Sequence, residues 1–422
     1  MMLLRASVMA AMLLVRPCAI PAQAPAIDRE YRSYIAQDFE RFHPQYNRLH
    51  RQRVKQLEAL EPQVFDRERK GEQFVCAHEI LLETRWLLGS TTDFERIDSR
   101  LRDLRNALGE SPASRPREMQ NAVDGSCGAC YTEWFFKLDA TYDYQKQHRL
   151  TDAPRFLDRV NSPEKLRSYF DSIAISNVAE DGVDHRRELN EALADLLRLI
   201  LHSQPIGYRW APGMKAAMLD IVLEKLRNPQ TGWWGERYIH NGATYFVDDL
   251  SVTFHAVTYL SGQVPNLDRV IATALAMKNL NYPQGWLDND HYTNHNNMDA
   301  VVLFRYGWPF ASAKQRLEIS QEINRMLAWC LTESLQSDGS FRASGDDDSI
   351  EEAEYFGVAF LARAGYFDAR RRFWTRRDFP ESESVGRRLR NFIAGHCATG
   401  AAGGTYYASP LEQLDSSNPS RP

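Results

Sequence analysis

Long apolar runs are missing from this 422-residue chain. The apolar stretch Ala6 to Val15 is far shorter than the roughly 20 residues needed to cross a bilayer, and no later stretch is long enough either, so no integral membrane segment is expected. Basic charge is also short: 51 Lys and Arg stand against 56 Asp and Glu, for a formal net charge of -5. A nucleic acid partner would call for a concentrated basic surface, and so none is expected. The same acidity weakly disfavours a polyanionic substrate unless a local basic groove exists. Alternating strand patterns are nearly absent, which leaves the helix as the main element.

Cysteine is scarce as well, with six in the chain. Cys18 falls in what reads as a leader over residues 1–24: Arg5 gives a positive start, Ala6 to Val15 an apolar core, and Ala22-Gln23-Ala24 a small-residue cleavage site. Val15-Arg16-Pro17 ahead of Cys18 lacks the small residues that lipoprotein processing prefers. A periplasmic or secreted protein is expected, with a mature charge near -7 once Arg5 and Arg16 are removed. Cys76, Cys127, Cys130, Cys330 and Cys397 remain, an odd number in an oxidising compartment. Cys127-Gly128-Ala129-Cys130 has redox-motif spacing but no strand before it, so a short Cys127–Cys130 structural disulfide is expected.

What the chain has in abundance is helical periodicity. In Glu188 to Leu201, Leu189, Ala192, Leu193, Leu196, Leu197 and Ile200 form one stripe, with Asn190, Glu191, Asp195 and Arg198 opposite. Comparable segments are Phe74 to Leu88, Met214 to Leu226, Leu250 to Leu260, Leu267 to Met277, Ala300 to Trp308, Ala313 to Leu335, Glu351 to Ala364 and Val385 to Ile393. A glycine-aromatic turn also recurs: Gly232-Trp233-Trp234, Gly285-Trp286 and Gly339-Ser340-Phe341 lie 53 and 54 residues apart, and Gly403-Gly404-Thr405-Tyr406 follows 64 residues later. Each interval holds two helices. Glycine permits the tight reversal, and the aromatic can wedge between neighbouring hairpins. Such hairpins must stack on one another to bury their apolar faces.

Asn228-Pro229-Gln230-Thr231-Gly232-Trp233-Trp234-Gly235 and Leu335-Gln336-Ser337-Asp338-Gly339-Ser340-Phe341 resemble the repeat turns of the squalene-cyclase and protein-prenyltransferase superfamily. The resemblance covers Asn228 to Tyr407. It implies an all-α fold, an α/α toroid of helical hairpins, which is also the architecture of many polysaccharide lyases and glycoside hydrolases; fold alone does not decide among them. Residues 25–227 lack the turn repeat and are read as divergent hairpins of the same toroid, 228–408 as the repeat-bearing half with the site, and 409–422 as a frayed tail.

Polar clusters after each turn are the candidate site. The first, Asp248-Asp249 with His255, offers a helix cap and a stripe of Asp248, Ser251, Val252, His255 and Tyr259. The second is the densest: His291, Asn294, His295, Asn296, Asn297 and Asp299, followed by Arg305 and Tyr306. The third is Asp346-Asp347-Asp348 running into Glu354 and Tyr355. His291, His295, Asp299 and His255 are permissible metal ligands, but the zinc signature with its intervening glutamate is missing, so neither a metal nor a cofactor is assigned.

These side chains fit a carbohydrate-active enzyme whose partner is a glycan. The Asn294-His295-Asn296-Asn297 stretch looks like the Asn/His-rich inner-loop motif of toroidal lyases. By that resemblance Asn296 and Asn297 neutralise a uronate carboxylate, His295 or His255 is the base, and Tyr355 or Tyr306 the acid of a β-elimination. The alternative is inverting hydrolysis with Asp248 or Asp249 paired with Glu354, and Trp234 and Trp286 stacking on sugar. A terpenoid cyclase is disfavoured because Asp346-Asp347-Asp348-Ser349 departs from the Asp-x-Asp-Asp motif at its last position, and a non-catalytic binding ring is the remaining option. The sequence leaves glycan identity and oligomeric state open.

Overall fold

The computed structural model describes residues 31–69, 75–109, 120–147, 149–202, 208–343 and 350–398, together with Leu414. Residues 1–24, the Asp346-Asp347-Asp348 run, the Gly403 turn and, apart from Leu414, residues 409–422 lie outside the described residues. The chain is mostly helical, as its periodicity requires. Four helices come first: α1 (Tyr31–Phe42), α2 (Tyr46–Arg69), α3 (Val75–Ser90) and α4 (Phe94–Gly109). They are followed by α5 (Trp134–Gln147), α6 (Pro163–Ile173), the short α7 (Val178–Asp181), α8 (Arg186–Leu197) and α9 (Met214–Asp220). The repeat-bearing part contains α10 (Leu250–Tyr259), α11 (Leu267–Met277), α12 (Asn294–Gly307), α13 (Ala313–Trp329), α14 (Ile350–Arg363) and α15 (Ser382–Ala398). None of the described helices is long and apolar enough to cross a membrane.

Five helices pack in succession, α5 on α8, α8 on α10, α10 on α12 and α12 on α14. The last four run parallel. At their starts Arg186 meets Asp249 at 2.7 Å and Asn190 donates to Ser251 at 3.1 Å. At their ends the Arg198 guanidinium lies 4.7 Å over the Tyr259 ring. Between α12 and α14, His295 stacks on Phe356 near the starts, and Arg305 donates to the Arg363 carbonyl at the ends. Parallel neighbours joined by an intervening antiparallel partner are what stacked hairpins produce: α11 packs on α12 and on α13, and α6 on α8 and α9.

The repeated turns show why the glycines are there. Asn228 N–H donates to the Trp233 carbonyl and Gly232 N–H to the Asn228 carbonyl; Gln336 N–H to the Ser340 carbonyl and Gly339 N–H to the Gln336 carbonyl. Gly232 and Gly339 have φ of +79° and +98°, the left-handed region that a side chain disfavours. The aromatics are wedges: Trp233, Trp234 and Trp286 are fully buried, with the Trp233 and Trp234 indoles donating to the carbonyls of Val270 and Val222.

Three details differ from the sequence reading. Cys130 pairs with Cys76, not with Cys127, which is a buried thiol. The CxxC spacing permits a local bridge, but Cys76 on α3 is brought alongside the turn before α5, and Cys130 N–H is held there by Glu79. Helices α8, α9 and α13 end in π-helical turns, Arg198–His202, Ile221–Lys225 and Cys330–Ser334, which apolar periodicity counts as plain helix. Short strands also exist: β1 (Ile175–Ser176) pairs in parallel with β2 (Arg237–His240), which pairs antiparallel with β3 (Ala243–Phe246), and β4 (Leu287–Asp288) pairs with β5 (His291–Tyr292). They are too short to show an alternation.

Candidate functional site

The polar helix starts that the sequence singles out are buried: Asp248, Asp249 and Glu354 hold turns or a cap, whereas the Asn297 side-chain amide, the Asn296 Nδ2 and the Asp299 carboxylate are buried with no hydrogen-bond partner among the described residues. Asp249 is the N-cap of α10: its carboxylate accepts from Ser251 N–H and Val252 N–H and pairs with Arg186. Asp248 accepts from Asn228 and Thr231, tying the first repeat turn down; burial pushes its carboxyl up to about 7. Glu354 accepts the Phe341 N–H at 2.6 Å, the service that Thr253 renders to Trp234 N–H. Asn297 stands at the same step after its N-cap, Thr293, as Thr253 does after Asp249, since each N–H donates to the carbonyl of that cap. Asn294 donates to Ser334. Asn294, Asn296, Asn297 and Asp299 are all buried in the first turns of α12, and burial together with Asp249 raises the Asp299 carboxyl well above the usual range.

A different set, every member partly open to solvent, runs obliquely from the start of α12 to the ends of α8 and α10: Asp139 and Tyr142 on α5, Arg198 at the end of α8, His255 and Tyr259 on α10, His295 in the first turn of α12 and Tyr355 on α14. Arg198 sits 4.7 Å from the ring centroids of both Tyr142 and Tyr259. It reaches Asp195 at 3.3 Å and Asp139 at 3.7 Å. His255 stacks on Tyr259 with its Nδ1 3.2 Å from the hydroxyl. His295 is stacked 3.8 Å from Phe356, which meets Tyr355 edge-on. Tyr355 is near enough to help raise the Tyr259 hydroxyl. Side chains from five helices that pack in succession thus lie along one polar band.

Electrostatics gives the band its chemical character. Burial, then Arg198 and His295, depress the His255 pKa well below that of an ordinary imidazole, so the ring is neutral at neutral pH. Burial raises Tyr259, which keeps its proton. Asp195 is fully buried beneath Arg198, and burial followed by Asp139 outweighs the arginine and raises its carboxyl, leaving the guanidinium charge incompletely cancelled. A neutral base, a protonated phenol and a cation therefore lie side by side.

The structure brings His255, His295 and Tyr355 together in the band; Asn294, Asn296, Asn297 and Glu354 adjoin them but are buried, and the remaining candidates lie apart from it. Asp249 and Glu354 do not oppose each other across an opening; each is fully buried and engaged with a turn or a cap. His291 is exposed on β5, and Arg305 and Tyr306 lie at the far end of α12. Trp234 and Trp286 present no face to a ligand. Arg198 was visible in the sequence only as the polar side of an amphipathic helix, and nothing local to it signals the two tyrosines between which it folds. A second polar group also escapes sequence reading: Tyr31 donates to Glu236 at 2.9 Å and to Asp184, while Asp38 accepts from Tyr238 and His240. It fastens α1 across the β2–β3 hairpin.

Among the described residues no three His, Cys, Asp or Glu side chains converge as a metal site would need. Comparison with protein-family models, with curated proteins and with solved structures finds no match to this chain.

Proposed function

We propose that the chain is an exported α/α toroid whose parallel helices α5, α8, α10, α12 and α14 form the inner wall, and that it cleaves a uronic-acid-containing glycan by β-elimination. The observation that carries this reading is the His255–Tyr259–Arg198 arrangement within the solvent-open band. Elimination requires the C5 proton of a uronate to be made acidic, removed, and replaced by a proton on the departing O4. Arg198, with His295, binds and neutralises the carboxylate. His255, held neutral with its lone pair available, takes the C5 proton, and the uronate carboxylate bound at Arg198 offsets the positive surroundings that otherwise disfavour the protonated ring. The C4–O bond then breaks, its electron pair is protonated by Tyr259 or Tyr355, and a C4–C5 double bond forms.

This assignment keeps His255, His295 and Tyr355 in chemical roles and moves carboxylate binding from Asn296 and Asn297 to Arg198. The second reading, hydrolysis, has one specific support: Asp195 with a raised carboxyl and Asp139 both reach Arg198. Its weakness is that Asp195 is only 1% exposed, beneath the guanidinium where a glycosidic oxygen has no access. Digestion of polygalacturonate, alginate and chondroitin separates the two. The ultraviolet absorbance of an unsaturated uronate marks elimination; new reducing ends without that absorbance mark hydrolysis and overturn the proposal. His255→Ala is expected to lower kcat about 10²- to 10⁴-fold, the usual range for a proton-transfer group.

A further inference from the structure

The parallel packing of α8, α10, α12 and α14 places their C-terminal ends on one edge, so Arg198 and Tyr259 share that edge with Arg305 and Arg363. Beyond Arg363 the chain is densely basic: residues 363–378 contain six arginines, Arg363, Arg370, Arg371, Arg372, Arg376 and Arg377, against two aspartates, Asp368 and Asp378. In a chain of net charge -5 this is a strong local reversal of sign. Asp368 is already engaged by Arg370 through both oxygens, and Asp378 lies 3.8 Å from Arg372. Among the described residues no carboxylate pairs with Arg363, Arg376 or Arg377, and all three are exposed. The excess is felt locally: burial, Arg363 and Arg371 all lower the Arg305 pKa, with Tyr306 the one group acting against them. Aromatic rings hold the cations in place. Arg305 lies 4.9 Å over Phe373, Phe373 meets Trp308 edge-on, and Arg316 lies 5.4 Å over Trp308.

We infer that this arginine surface is a docking track for an anionic polysaccharide, continuous with the band at Arg198 and engaging sugars of the same chain away from the bond that is cut. Exposed guanidinium groups suit carboxylates spaced along a polymer, because each planar fork can donate two hydrogen bonds to one carboxylate. The surface supplies the local basic groove without which a net acidic protein is a poor partner for a polyanion. The identity of the partner rests on the uronate reading above, whereas the existence of the track does not, so the two are tested apart.

The test measures binding of the full protein to polygalacturonate, to a neutral galactan and to phosphatidylglycerol vesicles, alongside a variant combining Arg363→Gln, Arg371→Gln, Arg376→Gln and Arg377→Gln. The wild type is expected to bind polygalacturonate, to lose affinity steeply with added salt, and to ignore the galactan. The variant is expected to bind at least about tenfold more weakly, a modest sum for four exposed charges. If the protein is active, KM for long chains rises while kcat and the cleavage of short oligosaccharides stay as in the wild type. Affinity unchanged by the four substitutions, or vesicle binding in place of polymer binding, overturns the inference. If the variant does not fold, the salt dependence and the galactan comparison of the wild type decide alone. A track that binds polymer in a protein yielding no unsaturated product overturns the elimination reading and leaves the track standing.

Discussion

At the scale of single residues, the structure separates side chains that hold turns from side chains that face solvent. Asp248 is the clearest holder. Its folded-state pKa of about 7 lies above the ordinary carboxylate value of roughly 3.9, so the folded state favours the proton. Stability from this group is therefore full below about pH 4 and is lost as pH rises through 7. Asp248→Asn keeps the Oδ1 acceptor for Asn228 and Thr231 while removing the charge. The melting temperature is expected to rise relative to wild type at pH 8 and to approach it below about pH 4; equal destabilisation at both values contradicts the assignment. Trp286→Ala is expected to cost about 3–5 kcal/mol in denaturant unfolding, as deletion of a buried wedge should, with Trp286→Phe largely restoring it. His255 and His295 were legible as candidates because they follow turns and sit near helix starts. Tyr259 was legible only as part of the His255 stripe, and Arg198 was not a candidate, since its place is set by packing against Tyr142 and Tyr259 on two other helices distant in the chain.

At the scale of elements, the repeated glycine-aromatic turn was the most readable feature, because tight reversal restricts residue choice sharply. Gly235 is a second-order instance: a Cβ there would lie 1.8 Å from the Val247 carbonyl oxygen. Gly235→Ala is expected to destabilise by about 2 kcal/mol or more through forced backbone movement; a neutral effect in urea unfolding contradicts the packing. Helix positions were also readable, Leu267 to Met277 with both ends. The π-helical endings were not, because one inserted residue shifts the apolar stripe by less than the stripe's width. Nor was the Cys76–Cys130 pairing, which depends on where α3 lies rather than on spacing. The polar starts of α10 and α12 stood out in the sequence as dense; at α10 Asp248 and Asp249 serve a turn and a cap, while at α12 Asn296, Asn297 and Asp299 bury polar atoms that no described residue partners. The open band runs from His295 in the first turn of α12 to Arg198 and Tyr259 at the ends of α8 and α10, and at those ends ordinary amphipathic patterning gives it no mark.

At the scale of the molecule, buried acids set the pH response. Burial raises Asp195, Glu236 and Asp299 as well as Asp248, so all four favour the protonated folded state. The sign is the same for each: ionisation on raising pH is easier in the unfolded chain, and the melting temperature is expected to fall between about pH 5 and pH 8.5. A melting temperature that rises over that interval contradicts the burial of these groups. Catalysis is expected to have the opposite tendency on its acid side. The depressed His255 keeps the base neutral, so kcat/KM should decline only below the ordinary histidine range near 6.5, not at it.

The most direct test is a crystal structure of the His255→Ala protein soaked with a uronic-acid oligosaccharide. The account expects one uronate carboxylate in hydrogen-bond reach of the Arg198 guanidinium, with its C5 facing the space left by the imidazole and O4 toward the Tyr259 or Tyr355 hydroxyl. A sugar bound with its glycosidic oxygen between Asp139 and Asp195, or ordered only on a surface away from the band, would contradict it.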